Sequence, residues 1–512
     1  MASKRSSGVL LHPTSLPGPH GIGDLGSGAR RFVDFLVEAR QSLWQVLPLG
    51  PTGYGDSPYA SFSSFAGNPL LIALEGLLAE GDLQASDLQS VPAFPPRFVD
   101  YGWVIFWKLP LLEKAARTFL ESASGARRAA YDRFCAESDH WLRDYALFMA
   151  VKEEFDARAR ESKVDGAMWN NFWDADIALR EPAAIRTWSE ERREKIEVQK
   201  VLQFYFFSQW RELRAYANTR GVRLVGDIPI FVAPDSVDVW ADRRLFHLDE
   251  RGRPNVVAGV PPDYFSATGQ RWGNPLYNWE VMRSEGFSWW TRRVKSMLGL
   301  VDIVRVDHFR GFEAYWEVPA ANKTAEKGRW VKAPGRELFT VLERELGELP
   351  VMAEDLGVIT PEVVALRDHF GFPGMKVLQF AFEPSGSGLN ATNPFLPHNF
   401  TPNSVVYTGT HDNDTTRGWY RTRSDQERDL VRRYLARDDG DVVWDLIRLA
   451  YASVAHYAII PMQDLLVLES NARMNRPSTL GGNWAWRYSP EDIGSWTAGR
   501  LREMTELYGR VP

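Results

Sequence analysis

Apolar residues along the chain fall into two regimes. Some form short runs rich in Val, Ile and Leu; elsewhere they recur three or four positions apart. Residues 301–311, VDIVRVDHFRG, typify the first regime: Val301, Ile303, Val304 and Val306 suit a buried strand, and Gly311 closes it. The same reading applies to 8–12 (GVLLH), 43–49 (LWQVLPL), 223–231 (RLVGDIPIF), 350–355 (PVMAED), 375–382 (MKVLQFAF), 404–410 (SVVYTGT) and 458–468 (AIIPMQDLLVL). Helical periods separate most of these runs, beginning with an amphipathic stretch at 28–40. Eight apolar strands alternating with helices predict an α/β fold, an eight-stranded parallel β/α (TIM) barrel.

Residues 75–200 differ in character. Segments such as 107–120, 131–155 and 190–210 carry helical periods, and no strand candidate falls among them. The alternating charges of 190–195 read as a solvated helix face. The expected organisation is a catalytic barrel from 1–74 and 201–512, a mostly helical insertion at 75–200, and a loop excursion over the cleft at 233–290. Residues 50–67 (GPTGYGDSPYASFSSFAG) are too rich in Gly, Ser and Tyr for a core segment. Loops of that length in compact domains are usually functional or disordered, and tyrosines beside glycines favour binding.

Charge excludes one class of partner. Lys+Arg number 60 against 66 Asp+Glu, a net charge of −6, whereas a nucleic-acid surface needs a basic excess. The single cysteine, Cys135, rules out an internal disulfide or a Cys-rich zinc site and reads as inert packing. No run approaches the roughly 18 apolar residues of a membrane span, and His12 and Pro13 interrupt any signal-like run. The expectation is a soluble cytoplasmic protein with no membrane contact. The 20 Trp residues suit core packing, and flat rings also stack on the apolar faces of sugars.

Active sites of such barrels lie at the C-terminal ends of the strands. Acidic residues end four of the strands: Asp227, Asp307, Glu354 with Asp355, and Asp412; Arg305 and His411 accompany them. Arg305 and Asp307 are two apart on a strand and share a face, so the arginine would hold the carboxylate ionised. Converging like charges cost energy, which leaves a cysteine-free metal site or glycosyl chemistry as explanations. Glycosyl transfer needs two carboxyl groups in different protonation states. Asp307 suits the ionised role, Glu354 in its apolar frame suits the acid, and Asp412 suits holding sugar hydroxyls.

LHPTSLPGPHGIGDLG, GPTGYGDSPY, GDIPIFV, VPPDYFSATGQRWGNPLY, VRVDHFRGF, AEDLGVIT, FPGMKVLQFAF and GTHDND occur in this order, followed by RMNRPS and GGNWAWR. Together they resemble the 4-α-glucanotransferases (amylomaltases or disproportionating enzymes, glycoside hydrolase family 77). The resemblance implies a barrel of the α-amylase clan acting with retention, without metal or cofactor, on maltooligosaccharides, amylose or starch- and glycogen-derived α-glucans, with glucose among the acceptors. It places Asp307 as nucleophile, Glu354 as acid/base and Asp412 as transition-state stabiliser. Arg305, His411, Asp227 and Tyr59 become supporting contacts around the reacting sugar. Residues 259–275 resemble the family's flexible loop over the cleft. There Asp263, Tyr264, Phe265, Gln270 and Trp272 are candidate sugar contacts, and Tyr54 is a candidate in the other loop. His12 reads as either a sugar contact or a satisfied rim residue, and no C-terminal β-sandwich is expected.

The same carboxylates would serve an α-glucan hydrolase of the clan, so only products separate the two activities. A non-catalytic glucan binder would not need all three carboxylates, and a metal-dependent enzyme would lose activity on chelation. Retention calls for about 5–5.5 Å between nucleophile and acid.

Overall fold

The computed structural model describes residues 5–262, 266–386, 388–479 and 481–511. In chain order the strands are β1 Ser6–Leu10, β2 Leu43–Gln45, β3 Arg223–Ile228, β4 Val256–Val260, β5 Gln270–Pro275, β6 Ile303–Val306, β7 Ala314–Pro319, β8 Arg329–Lys332, β9 Val351–Ala353, β10 Gly374–Val377, β11 Pro384–Ser385, β12 Gly388–Leu389, β13 Ser404–Tyr407 and β14 Tyr457–Pro461. Eight of them close a parallel barrel in the order β1-β14-β13-β10-β9-β6-β3-β2. These strands read as nearly continuous apolar runs because parallel sheets are covered on both faces; β1, β2, β6, β9 and β13 are buried throughout.

Each of the eight expected segments overlaps one barrel strand; seven strands are shorter than their segments, and β1 begins two residues before the expected 8–12. In 458–468 the strand stops at Pro461 and the chain continues as the helix Met462–Leu465. In 375–382 a 3₁₀ turn, Leu378–Phe380, follows β10. Buried helix and buried strand are equally apolar, so the run alone does not locate the change.

A second sheet, antiparallel with order β5-β4-β7-β8, was not legible in the sequence. Expected as a loop, 259–275 instead ends in strand β5, which pairs with β4 across an irregular register between Val257 and Gly259. Gly259, Gly269, Gly273 and the prolines mask the strand alternation; such residues are tolerated at edges and bulges.

The long elements between residues 75 and 200 are the helices Tyr101–Ser122 and Gly125–Ser162. Helix Arg193–Asn218 packs against both and leads into β3. From that helix, Gln203 clamps Gly67: its Oε1 accepts the Gly67 N–H at 2.8 Å and its Nε2 donates to the Gly67 carbonyl at 2.9 Å. The helical region thereby holds the base of loop 50–67. Trp44, Trp169, Trp210, Trp240 and Trp444 are fully buried, so packing accounts for much of the Trp surplus. Among the described residues no helix is long and apolar enough to cross a membrane.

Candidate active site

Register places the charged residues side by side. Asp227 on β3 pairs with Arg305 on β6, and Arg305 pairs with Met352 on β9. Asp307 follows the last residue of β6, Glu354 follows β9, and Asp412 lies in the loop beyond β13. These are the C-terminal ends of the barrel strands, where the fold leaves room for a site.

Arg305 organises the floor. Its Nη1 lies 2.6 Å from Asp227 Oδ2 and 3.0 Å from Asp307 Oδ1, so the shared face inferred from their spacing is present. Asp227 is fully buried, and the Tyr59 hydroxyl donates to the same Oδ2 at 2.9 Å. The Asp307 side chain keeps 28% exposure toward the cleft. Removing Arg305 would leave the Asp227 charge buried and uncompensated. Arg305→Ala is expected to cost about 3–5 kcal/mol of stability, read as a lower urea midpoint; a parental midpoint would contradict this role.

Directly after Asp307 the chain turns sharply. His308 has φ +50°, a left-handed conformation costly for a non-glycine residue. The turn aims its N–H at Glu354 Oε2, 2.6 Å away, while Leu356 N–H donates to Oε1 at 3.0 Å. A Cβ on Gly311, at the exit of this turn, would lie 2.7 Å from Ile230 Cδ1 and 3.1 Å from the His308 ring, so a side chain there would have to displace the tip of Ile230. One backbone device thus positions Glu354 next to the strand that carries Asp307.

Burial pushes the Asp307 carboxyl well above the ordinary carboxylate range; Arg305 opposes this, and the charges of Glu354, Asp227 and Asp412 reinforce it. Burial raises Glu354 as well, against Arg305 and its two backbone donors. The pair therefore takes up a proton more readily than isolated carboxyls would. Burial keeps Tyr59 a neutral phenol, with Asp227 adding to the effect. His411 is lowered by burial and stays neutral.

Asp412 is reached from the loop side. Asn475 Nδ2 donates to its Oδ1 at 2.6 Å, Arg473 Nη2 donates to its carbonyl at 2.8 Å, and His411 Nε2 lies 3.4 Å from Oδ2. Tyr59 stacks on His411 at 5.2 Å between ring centres, and Trp484 packs against both rings. The resulting cleft, about 300 Å³, is lined by Tyr59, Gln270, Trp272, Asp307, His411 and Asp412, with Asn475 and Trp484. Trp272 meets His308 edge-on at 4.8 Å and donates to Gln270 Oε1 at 3.3 Å.

Asp227 and Arg305 lie beneath this lining. Asp263, Tyr264, Phe265 and the Tyr54 side chain lie outside the described residues. His12 is buried, lining a small cavity behind His411, and burial with His411 nearby lowers it to about 3. Sequence reasoning missed Asn475 and Trp484. They stand in RMNRPS and GGNWAWR, whose composition marks neither residue as chemical.

Among the described residues, His20, Asp24 and Glu75 bring potential metal-ligating atoms within 4.8 Å of one another, apart from the strand-end carboxyls. The fully buried Lys108 has its Nζ 3.9 Å from Asp24 Oδ2, so this group already has a cation of its own.

Residues 11–492 match the family described as 4-alpha-glucanotransferase. A 4-alpha-glucanotransferase of Thermus thermophilus is 53% identical, covering 100% of both chains. One from Synechocystis sp. is 52% identical over 100% of this chain and 99% of its own. The amylomaltase of Streptococcus agalactiae, solved in complex with acarbose, superposes with a TM-score of 0.94 at 40% identity, covering 99% of this chain and 100% of its own. The barrel, its strand-end carboxylates and these relatives agree: the chain belongs to the 4-alpha-glucanotransferase family.

Proposed function

We propose that this chain transfers α-1,4-glucan segments by a retaining double displacement, with Asp307 as nucleophile and Glu354 as acid and then base. The observation that carries the reading is the placement of Asp307, beside Arg305, and Glu354 at the C-terminal ends of two adjacent barrel strands. Arg305 lies 3.0 Å from Asp307 and favours its ionised form, and burial favours protonation of Glu354, whose two oxygens are held by the N–H groups of His308 and Leu356. Asp307 attacks the anomeric carbon while Glu354 protonates the departing glycosidic oxygen, and the released fragment leaves with a free reducing end. Glu354, now ionised, takes the proton from the 4-hydroxyl of an acceptor glucan or glucose. That oxygen attacks the anomeric carbon, displaces Asp307 and restores the α configuration.

Asp412 holds hydroxyls of the reacting sugar, and Tyr59 offers it a ring face above Asp227. Gln270 and Trp272 suit an acceptor sugar that must outcompete water. Asp263, Tyr264, Phe265 and Tyr54 are proposed as further contacts on the resemblance of their motifs alone. Asn475 is a positioning residue for Asp412. Asn475→Ala is expected to lower kcat/KM about tenfold, the value of a charge-assisted hydrogen bond of about 1.5 kcal/mol. Unchanged kcat/KM would remove it from the site.

Incubation of the protein with maltotriose alone tests the function. Glucose with a ladder of longer maltooligosaccharides is the expected outcome. Glucose and maltose without a ladder would make the protein a hydrolase.

A further inference from the structure

A groove of about 800 Å³ opens beside the cleft, within the about 300–1,000 Å³ typical of small-ligand sites. One wall is the end of helix Gly125–Ser162 with the turn after it, through residue 168; the other comes from the loops after β2 and β3. Ser57, Tyr59, Trp272 and Asn274 line both the groove and the catalytic cleft, so the two spaces are continuous. Neither Asp307, Glu354 nor Asp412 lines the groove, and the chemistry derived above makes no use of it.

The wall combines ring faces with fixed polar groups. Lys152 is nearly buried, its Nζ 2.7 Å from Asp235 and 3.2 Å from Asp156, and it sits 5.0 Å over the Phe62 ring. Arg160 and Asp165 stand at the exposed rim, and Met168 adds apolar surface. Lys152 and Arg160 are set against Asp156, Asp165 and Asp235, so the groove presents no cationic surface for a phosphate. Rings flanked by the paired Lys152, Asp156 and Asp235, with one further charge of each sign at the rim, suit a neutral, polyhydroxylated chain.

We propose that this groove binds outer glucose units of the α-1,4-glucan whose reacting residue lies over Asp307, making residues 152–168 a determinant of glucan length. This rests on the glucan reading of the cleft. The donor or the acceptor strand could supply those units, and the two arms of the test separate them.

Ala167→Trp narrows the groove, and Arg160→Ala and Asp165→Ala each remove a rim contact. The measured quantity is the ratio of kcat/KM on maltoheptaose to that on maltotriose, with the full chain. The ratio is expected to fall about fivefold for Ala167→Trp and about two- to threefold for each rim variant. Lengthening the donor at fixed acceptor, then the acceptor at fixed donor, shows which strand occupies the groove. Should Ala167→Trp fail to fold, the two exposed rim positions still carry the test. Ratios equal to the parent's throughout would overturn the proposal. Absence of any maltotriose disproportionation by the parent would instead overturn the glucan reading on which it rests.

Discussion

Asp307→Ala is expected to lower transfer on maltotriose by at least about 10⁴-fold, as loss of a covalent nucleophile does. Arg305, Asp227 and Tyr59 would remain, but nothing would form the glycosyl-enzyme. The vacated space offers a stereochemical check. With an activated α-glucosyl donor that needs no acid, added azide should attack from the face Asp307 leaves open and give the β-glycosyl azide. Substantial turnover without azide, or an α product, would place the nucleophile elsewhere.

Glu354→Ala should cost about 10²–10⁴-fold on maltotriose, the range for a lost general acid. The loss should largely disappear with an activated donor whose leaving group departs unprotonated. Glycosylation of Asp307 then proceeds, and azide entering from the acceptor side should give the α-glycosyl azide. Opposite anomers from the two variants would assign the two carboxyls independently of any rate. Burial raises Glu354 above the usual carboxylate range, and the acid acts in its protonated form. On the parent enzyme kcat/KM should therefore fall as pH rises through that raised value. For Glu354→Ala with an activated donor that limb should vanish; its persistence would assign it to another group.

The barrel was legible because its strands are largely buried on both faces and so read as nearly continuous apolar runs. The carboxylates stood out because a barrel rim has no structural need for them. Arg305 and Asp307 were linked by strand alternation alone, and the structure brings them to 3.0 Å. Other features rest on contacts distant in sequence. Asn475 reaches Asp412 across 63 positions, and Glu354 is fixed by the N–H of His308, a backbone group that no residue type announces. Two strands of the second sheet, β4 and β5, were hidden because they carry the Gly and Pro that mark loops elsewhere. Of the two readings of His12, the satisfied rim residue is not what the structure shows: it is buried behind His411, and its Nδ1 has no hydrogen-bond partner among the described residues.

The most direct test of the mechanism is to trap the glycosyl-enzyme. An α-glucosyl fluoride carrying fluorine at C5 forms the intermediate through its good leaving group and slows its breakdown. Mass spectrometry of the intact protein and of its peptides after brief incubation would locate the label. One added glycosyl unit on the peptide containing Asp307, discharged by maltotriose with transfer to that acceptor, is the expected result. A label on another carboxylate, or turnover of the probe to an inverted product with no adduct, would contradict it.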